Sequence, residues 1–112
     1  MEKETRNETK TGKVFITVAG LHHYFGVKMF SDNKGLEVML EKEPDNEYDK
    51  EAIIVKLEGL GKVGYVANSI STVLGDTHSA GRIYDKFDKT AKAKVLYSIE
   101  EKDSIICELI GG

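Results

Sequence analysis

The sequence predicts a mainly β protein that folds as a small OB-like barrel of about six short strands with one short helix. Six runs of apolar side chains alternate with polar ones at a period of two, which is typical of half-buried strands. One segment has instead the spacing of a helix. The length of 112 residues suits one domain with one modest core.

The predicted strands follow the alternating runs along the chain. Val14, Ile16 and Val18 set the first of them. The six strands are predicted over residues 14–19, 36–40, 53–57, 62–67, 93–99 and 105–109. Gly59 and Gly61 predict a turn between the third and fourth strands, and residues 101–103 predict a hairpin turn between the last two.

The predicted helix lies between the fourth and fifth strands. Asn68 or Ser69 is a natural N-cap, and Gly75 is a fitting C-terminal stop. Three apolar side chains between them have helical spacing, namely Ile70, Val73 and Leu74. Residues 76–90 are polar and contain glycine, which predicts a surface loop with room for a turn of helix.

The composition is that of an ordinary soluble domain, with 40% hydrophobic and 31% charged residues. No run of about 18 apolar residues is present, so we expect no membrane-spanning segment. Residues 1–13 lack the apolar centre of a signal peptide, and we expect a flexible N-terminal tail followed by one domain at 14–112. Cys107 is the only cysteine, which excludes an internal disulfide and favours a cytoplasmic location.

The formal net charge of −3 argues against a protein that coats nucleic acid indiscriminately, because such proteins are normally basic. The charge is unevenly distributed along the chain. Residues 37–51 carry seven acidic side chains against two lysines, whereas residues 81–94 carry five basic side chains against two aspartates. A phosphate would therefore be repelled by the first segment and attracted by the second.

The glycines at 59, 61 and 64 match the G-x-G-x-x-G pattern of nucleotide-binding proteins in their letters. That pattern requires its third glycine to open a helix. Gly64 lies instead in a predicted strand, so a hairpin turn is the favoured interpretation.

Asp45, Glu47 and Asp49 have the spacing of the first ligands of a calcium loop. Lys50 stands where such a loop needs glycine for its turn, and Lys56 stands where it needs glutamate as a bidentate ligand. A solvated acidic loop is therefore favoured over a calcium site.

The remaining titratable residues do not form a catalytic or metal-binding pattern. His22 and His23 are adjacent, and on a strand they would point to opposite faces and could not share a metal. Cys107 lies in an alternating apolar run and is predicted to be a core residue, not a nucleophile. We therefore expect no metal, no cofactor and no enzymatic activity from the chain alone.

Three tyrosines fall in loops or at strand ends beside loops, at Tyr24, Tyr48 and Tyr65. Each ring could be buried with a partner for its hydroxyl, as in most small domains. Alternatively, the rings could form a platform on which nucleic-acid bases stack, worth about 1–3 kcal/mol per base.

Three sequence segments together resemble a HIRAN domain. They are Glu43 to Ile53 with its Pro44 and Tyr48-Asp49 pair, Ala19 to Gly26, and Val63 to Val66. The resemblance extends over roughly residues 14–110. It implies a modified OB-like barrel that binds the free 3′ end of single-stranded DNA. Such domains occur in DNA-remodelling proteins and as short stand-alone bacterial proteins.

The resemblance also implies roles for individual residues in the loop after the second strand. Tyr48 matches the tyrosine that stacks on a terminal base, and Asp49 matches the aspartate that holds the 3′-hydroxyl. Asn46 and Pro44 match positions that shape the loop. Tyr65 matches the aromatic or histidine that follows the glycine of a later strand.

The first loop matches the family less completely. Its arginine and two tyrosines fall on His22, His23 and Tyr24, so only Tyr24 is retained. The resemblance therefore implies weaker contacts to phosphate, with binding that strengthens as the pH falls toward 6, because an unperturbed imidazole has a pKa of about 6.5. One of Lys50, Arg82 and Lys86 is a further candidate for a phosphate contact.

The sequence thus predicts a non-catalytic module that recognises the free 3′-hydroxyl end of single-stranded DNA. A helicase, nuclease or other DNA repair or remodelling protein would be its partner. The alternative is a protein-interaction or structural module in which the same loops contact another polypeptide. The nucleic-acid-binding residues are predicted to be His22, His23, Tyr24, Asn46, Tyr48, Asp49, Lys50 and Tyr65.

Overall fold

The computed structural model describes residues 12–111, so residues 1–11 of the predicted tail lie outside the described residues. The described chain forms a closed antiparallel barrel, which confirms the predicted fold class. Its strands are β1 (Phe15–Ala19), β2 (Glu37–Lys42), β3 (Ile53–Leu57), β4 (Gly61–Val66), β5 (Thr90–Ile99) and β6 (Ser104–Gly111). Around the barrel the order is β1-β4-β3-β2-β5-β6.

The barrel encloses the apolar side chains whose alternation predicts the strands. Ile16, Leu40, Val55 and Ile105 are completely buried. Cys107 is also buried, which confirms its prediction as a core residue, and burial raises the pKa of its thiol to about 12. Within residues 12–111, no helix is long and apolar enough to cross a membrane.

The glycine pattern at 59–64 forms the β3–β4 hairpin, as predicted. Gly59 and Gly61 adopt positive φ angles of 91° and 92° in the turn, a conformation that other residues adopt rarely. Gly64 lies inside β4, where an added Cβ would come within 2.7 Å of Leu21 Cδ2 and 2.8 Å of the Ala19 carbonyl oxygen. Glycine at 64 therefore lets the segment after β1 pack directly on β4.

The predicted helix over residues 69–74 is wrong. The Ser69 carbonyl accepts hydrogen bonds from the backbone N–H groups of Thr72 (3.0 Å) and Val73 (2.9 Å), which makes one turn that does not continue. The Ser69 and Thr72 hydroxyls hydrogen-bond to each other at 2.9 Å. Ile70 is fully exposed while Val73 and Leu74 are half-buried, so the three side chains do not form the continuous buried stripe that would stabilise a helix.

The helix of the fold comes later, as α1 (Ala80–Ile83) within the predicted surface loop. The Ser79 side chain caps it by accepting a hydrogen bond from the Arg82 backbone N–H at 3.3 Å. Its Ala80 and Ile83 side chains are fully buried, so packing on the barrel stabilises a helix that is too short to be stable alone.

The barrel closes between β1 and β4 with only a short ladder, in which Val18 pairs with Val66 and Ala19 with Tyr65. The segment after β4 covers the rest of β1, since the His78 N–H donates to the Phe15 carbonyl at 2.7 Å. The ends of β1 and β4 thus meet at one end of the barrel, beside the 3₁₀ turn Leu21–His23.

Candidate nucleic-acid interface

A groove of about 740 Å³ opens at the end of the barrel where β1 and β4 meet. Three chain segments converge on it: residues 19–24, residues 46–52 and residues 65–72. Six of the eight predicted site residues line the groove, namely His23, Tyr24, Asn46, Tyr48, Asp49 and Tyr65. His22 and Lys50 do not.

The loop between β2 and β3 is held by Asn46. Its side-chain oxygen accepts hydrogen bonds from the backbone N–H groups of Tyr48 (2.8 Å) and Asp49 (3.0 Å), the geometry of an Asx turn. The Glu43 N–H donates to the Ala52 carbonyl at 2.8 Å and closes the loop at its base. This loop presents the Tyr48 ring to solvent, where the residue is 90% exposed.

The Asp49 carboxylate is fixed in the groove by two hydrogen bonds. Its Oδ1 accepts from the Glu51 backbone N–H at 2.9 Å, and its Oδ2 accepts from Asn68 Nδ2 at 2.8 Å. Each carboxylate oxygen has two acceptor positions, so both can accept a further hydrogen bond. The arrangement supplies an oriented acceptor beside the exposed Tyr48 ring.

Asn68 is a groove residue that the sequence reasoning assigned only to a helix cap. Its Nδ2 donates to Asp49 and also to Glu51 Oε1 at 3.3 Å, and its Oδ1 accepts from the Gly81 backbone N–H at 2.8 Å. It therefore joins the β2–β3 loop to α1. No local pattern indicates this role, because its partners lie 13 to 19 residues away in the chain.

Tyr65 combines a groove-lining ring with a half-buried partner for its hydroxyl. The hydroxyl donates to Glu43 Oε1 at 2.7 Å. Burial, followed by the hydrogen bond and negative charge of Glu43, raises the pKa of Tyr65 to about 12. Burial alone would raise the pKa of Glu43, but hydrogen bonds from Tyr65 and Asn46 outweigh it and lower that pKa.

His22 and His23 lie in a 3₁₀ turn and not on a strand, so the alternation of faces along a strand does not apply to them. Their ring centroids are 3.9 Å apart and the ring planes are tilted by 40°. The His22 backbone N–H donates to Asp103 Oδ2 at 3.0 Å, and His22 Nδ1 contacts the same oxygen. His22 thus anchors the turn to the β5–β6 hairpin, whereas His23 lines the groove.

The candidate phosphate-binding cations lie outside the groove lining. Lys50 and Arg82 are exposed next to groove-wall segments, and Lys86 is exposed beyond α1. Among residues 12–111, no group of three or more His, Cys, Asp or Glu side chains is placed to hold a metal ion.

A small antiparallel barrel whose end carries a groove lined by tyrosines and amides is the architecture of an OB-like binding domain. The family model of the HIRAN domain matches residues 11–110 of this chain. The chain therefore belongs to the HIRAN family, which confirms the resemblance seen in its loops.

Two solved structures are similar to this chain. The crystal structure of the HIRAN domain of human HLTF matches with a TM-score of 0.59 and 22% identity, over 88% of this chain and 74% of that chain. A protein from Lactobacillus plantarum matches with a TM-score of 0.58 and 21% identity, over 87% of this chain and 92% of that chain. At this identity the likeness is one of fold. No curated protein is a significant match.

Proposed function

We propose that this domain binds the free 3′-hydroxyl end of single-stranded DNA without catalysing a reaction on it. A DNA repair or remodelling protein, such as a helicase or nuclease, would act on the DNA that the domain holds. Membership of the HIRAN family, a family of DNA-binding domains, supports the general class of ligand.

The observation that carries the proposal is the convergence of three distant chain segments on one groove. Tyr24, Asp49 and Tyr65 come from different parts of the chain, yet all of them line it. Tyr48, also in the lining, is 90% exposed. An exposed aromatic ring beside an oriented carboxylate can stack on a base and accept a hydrogen bond from the sugar of the same nucleotide.

Asp49 supplies the preference for an end that carries a hydroxyl. Its carboxylate oxygens would accept the hydrogen bond of a terminal 3′-hydroxyl, but would repel a 3′-phosphate or a continuing strand. Tyr48 and Tyr24 would stack on the terminal bases. Lys50 or Arg82, outside the groove, would contact a phosphate upstream of the end.

The proposal is tested with linear and circular forms of one single-stranded DNA sequence. We expect the linear form to bind and the circular form, which has no end, to bind at least about tenfold more weakly. The affinity for the linear strand should fall as the salt concentration rises, and the slope of log affinity against log salt concentration should correspond to roughly one or two phosphate contacts. Equal binding of both forms would contradict end recognition. If neither form binds, the alternative of a polypeptide-binding module is favoured.

A further inference from the structure

A second cavity, of about 400 Å³, lies where the end of β2 meets the start of β5. Lys42, Tyr84 and Lys89 are among the residues that line it, and it shares no lining residue with the groove. Pro44, also in its lining, is two residues from Asn46, which lines the groove. The Cα atoms of these two residues are at most about 7 Å apart, so the cavity and the groove are neighbours.

The Lys42 ammonium is held by one hydrogen bond and two aromatic rings. Its Nζ donates to the Phe87 carbonyl at 2.7 Å. The same atom lies 4.3 Å from the centre of the Tyr84 ring and 5.0 Å from the centre of the Phe87 ring, which are cation–π distances. The Lys42 backbone N–H also donates to the Lys89 carbonyl at 3.0 Å, which fastens the end of β2 to the segment before β5. A lysine that is already immobilised loses little side-chain entropy when it binds a ligand.

The cavity has hydrogen-bond donors that its own contacts leave available. The Lys42 ammonium has three N–H donors, of which the Phe87 carbonyl takes one. Lys42 is half-buried, so its charge acts on a ligand more strongly than that of a fully solvated lysine. Within residues 12–111, no carboxylate forms an ion pair with Lys42 or Lys89. With the hydroxyls of Tyr84 and Thr90 in the same lining, the cavity suits a ligand group that has several acceptor oxygens and a negative charge.

Two carboxylates in the lining limit how tightly an anion would bind. Glu41 accepts a hydrogen bond from Lys56 Nζ at 2.7 Å, and this ion pair offsets its charge. Asp88 is exposed and has no ion pair among the residues that the structure describes, so its charge opposes an anion in the cavity. The charges of the four charged lining side chains cancel, and Lys56 leaves one positive charge in excess.

We propose that this cavity is a second binding site, and that it takes a phosphate group between the Lys42 and Lys89 ammonium groups. Lysine binds phosphate as a point charge with several donors, and here one of the two lysines is fixed in advance. Two sources carry this chemistry: a small phosphorylated molecule, and the phosphodiester backbone of a strand whose end lies in the neighbouring groove. The proposal does not require the groove to bind DNA, because it concerns different residues.

The direct test is an NMR titration of the full chain with inorganic phosphate, with sodium chloride at matched ionic strength as the reference. We expect saturable shifts of the amide signals of residues 41–44 and 84–90, with half-saturation on the order of 1 mM. Sodium chloride should not reproduce these shifts, since a screened surface charge does not select between anions. Shifts that do not saturate, that chloride reproduces, or that fall elsewhere in the chain would overturn the proposal.

Removal of the opposing carboxylate should improve the site. Asp88→Asn leaves both lysines in place and should tighten the binding of phosphate by about threefold. Asp32→Asn is the matched control, because Asp32 is an exposed aspartate outside the cavity lining, and it should leave the binding unchanged. The same change in affinity for both variants, or no change in either, would contradict a site beside Asp88.

Removal of a lysine should weaken the site. Lys89→Gln should lower the affinity for phosphate at least about threefold, and it should leave the fold intact because the Lys89 side chain is exposed. Lys28→Gln removes an exposed lysine outside the cavity lining and should have no effect. Equal binding by Lys89→Gln and the native protein would contradict the role of Lys89.

Fluorescence anisotropy with a labelled strand ending in a 3′-hydroxyl identifies the source of the phosphate. If the source is the strand backbone, Asp88→Asn should also raise the affinity for the strand by about threefold. If the source is a small phosphorylated molecule, the affinity for the strand should stay unchanged while inorganic phosphate binds more tightly. A strand that does not bind at all would contradict the proposed function and leave the phosphate site standing. Failure of inorganic phosphate to bind would overturn the phosphate site and leave the proposed function standing.

Discussion

At the scale of residues, the Asn46 side chain positions both Tyr48, which is exposed, and Asp49, which contacts the groove wall. The Asn46 side-chain oxygen accepts the backbone N–H groups of both Tyr48 and Asp49. The Tyr48 ring is thereby left in solvent, while the Asp49 carboxylate points to partners inside the groove wall. Tyr48 is 90% exposed, so its ring buries little apolar surface and stabilises the fold little. We therefore assign this ring a role in binding.

Asp49→Asn should weaken the preference for a hydroxyl end more than it weakens binding. The amide keeps the shape of the side chain but removes the charge that repels a phosphate and strengthens the hydrogen bond to a hydroxyl. We expect the ratio of affinities for 3′-hydroxyl and 3′-phosphate strands to fall by about tenfold, and the hydroxyl-strand affinity by about threefold. Fluorescence anisotropy with the two strands measures both. A lower affinity for both strands with an unchanged ratio would contradict the role of Asp49.

The burial of the Tyr65 hydroxyl, together with its hydrogen bond to Glu43, should make stability fall at alkaline pH. The folded-state pKa of Tyr65, about 12, lies above the ordinary value of 10.0, so the folded state prefers the protonated hydroxyl. The stabilisation is fully present below pH 10.0 and is lost as the pH rises to about 12. The urea midpoint of the native protein should therefore fall further over this interval than that of Tyr65→Phe. Parallel curves for the two proteins would show that the ionisation of Tyr65 is not linked to folding.

At the scale of elements, most of the groove is built from connections, with the end of β1 at Ala19 and the end of β4 at Tyr65 and Val66 completing it. Side chains tie these connections together across long stretches of sequence: Asn68 joins the β2–β3 loop to α1, and His22 joins the 3₁₀ turn to the β5–β6 hairpin through Asp103. The hydrogen bonds from His22 lower the pKa of Asp103 against the opposing effect of burial. Asp103 itself has a φ of 51°, a conformation that aspartate tolerates better than most residues.

Asn68→Ala should release the β2–β3 loop from α1. It removes hydrogen bonds to Asp49 and from the Gly81 N–H, and we expect a loss of about 1–2 kcal/mol in the free energy of unfolding. The ratio of affinities for 3′-hydroxyl and 3′-phosphate strands should also fall, because the Asp49 carboxylate loses one of its two hydrogen-bond partners. Denaturant unfolding and strand-binding anisotropy measure the two effects.

Asn68→Asp is the matched variant for this prediction. It keeps an acceptor for the Gly81 N–H but sets a third carboxylate beside Asp49 and Glu51, so it should be less stable than Asn68→Ala at neutral pH. Acidification should restore it in part, since a protonated carboxyl can donate as the amide does. If the native protein, Asn68→Ala and Asn68→Asp were equally stable at neutral pH, the hydrogen bonds of Asn68 would not stabilise the contact between the β2–β3 loop and α1.

At the scale of the whole molecule, the sequence predicted the β-strands, because they depend on the local alternation of apolar and polar side chains. All six strands were predicted because alternating side chains on a barrel face either the core or the solvent. The helix was misplaced because Ile70, Val73 and Leu74 have helical spacing, yet Ile70 is fully exposed and the Ser69 and Thr72 hydroxyls bond to each other. The helix at Ala80–Ile83 depends on burial against the barrel, which no short window of sequence shows.

The sequence pointed to the chain segments that line the groove, but not to the hydrogen bonds that connect them. The resemblance of the loops brought six residues to one place, and those residues do line one groove. The contacts of Asn68, and the diversion of His22 to Asp103, span 13 to 81 residues of chain and follow from the tertiary fold alone. Lys50 illustrates the same limit, since it follows Asp49 in sequence yet does not line the groove.

The most direct test of the account is fluorescence anisotropy with one short labelled strand prepared with a 3′-hydroxyl or with a 3′-phosphate. We predict that the hydroxyl strand binds at least about tenfold more tightly than the phosphate strand. Tyr48→Ala should abolish this binding. Tyr97→Ala should retain it, because Tyr97 is an exposed tyrosine on β5 that does not line the groove. Equal affinity for the two strands, or unchanged binding by Tyr48→Ala, would contradict recognition of a hydroxyl end in this groove.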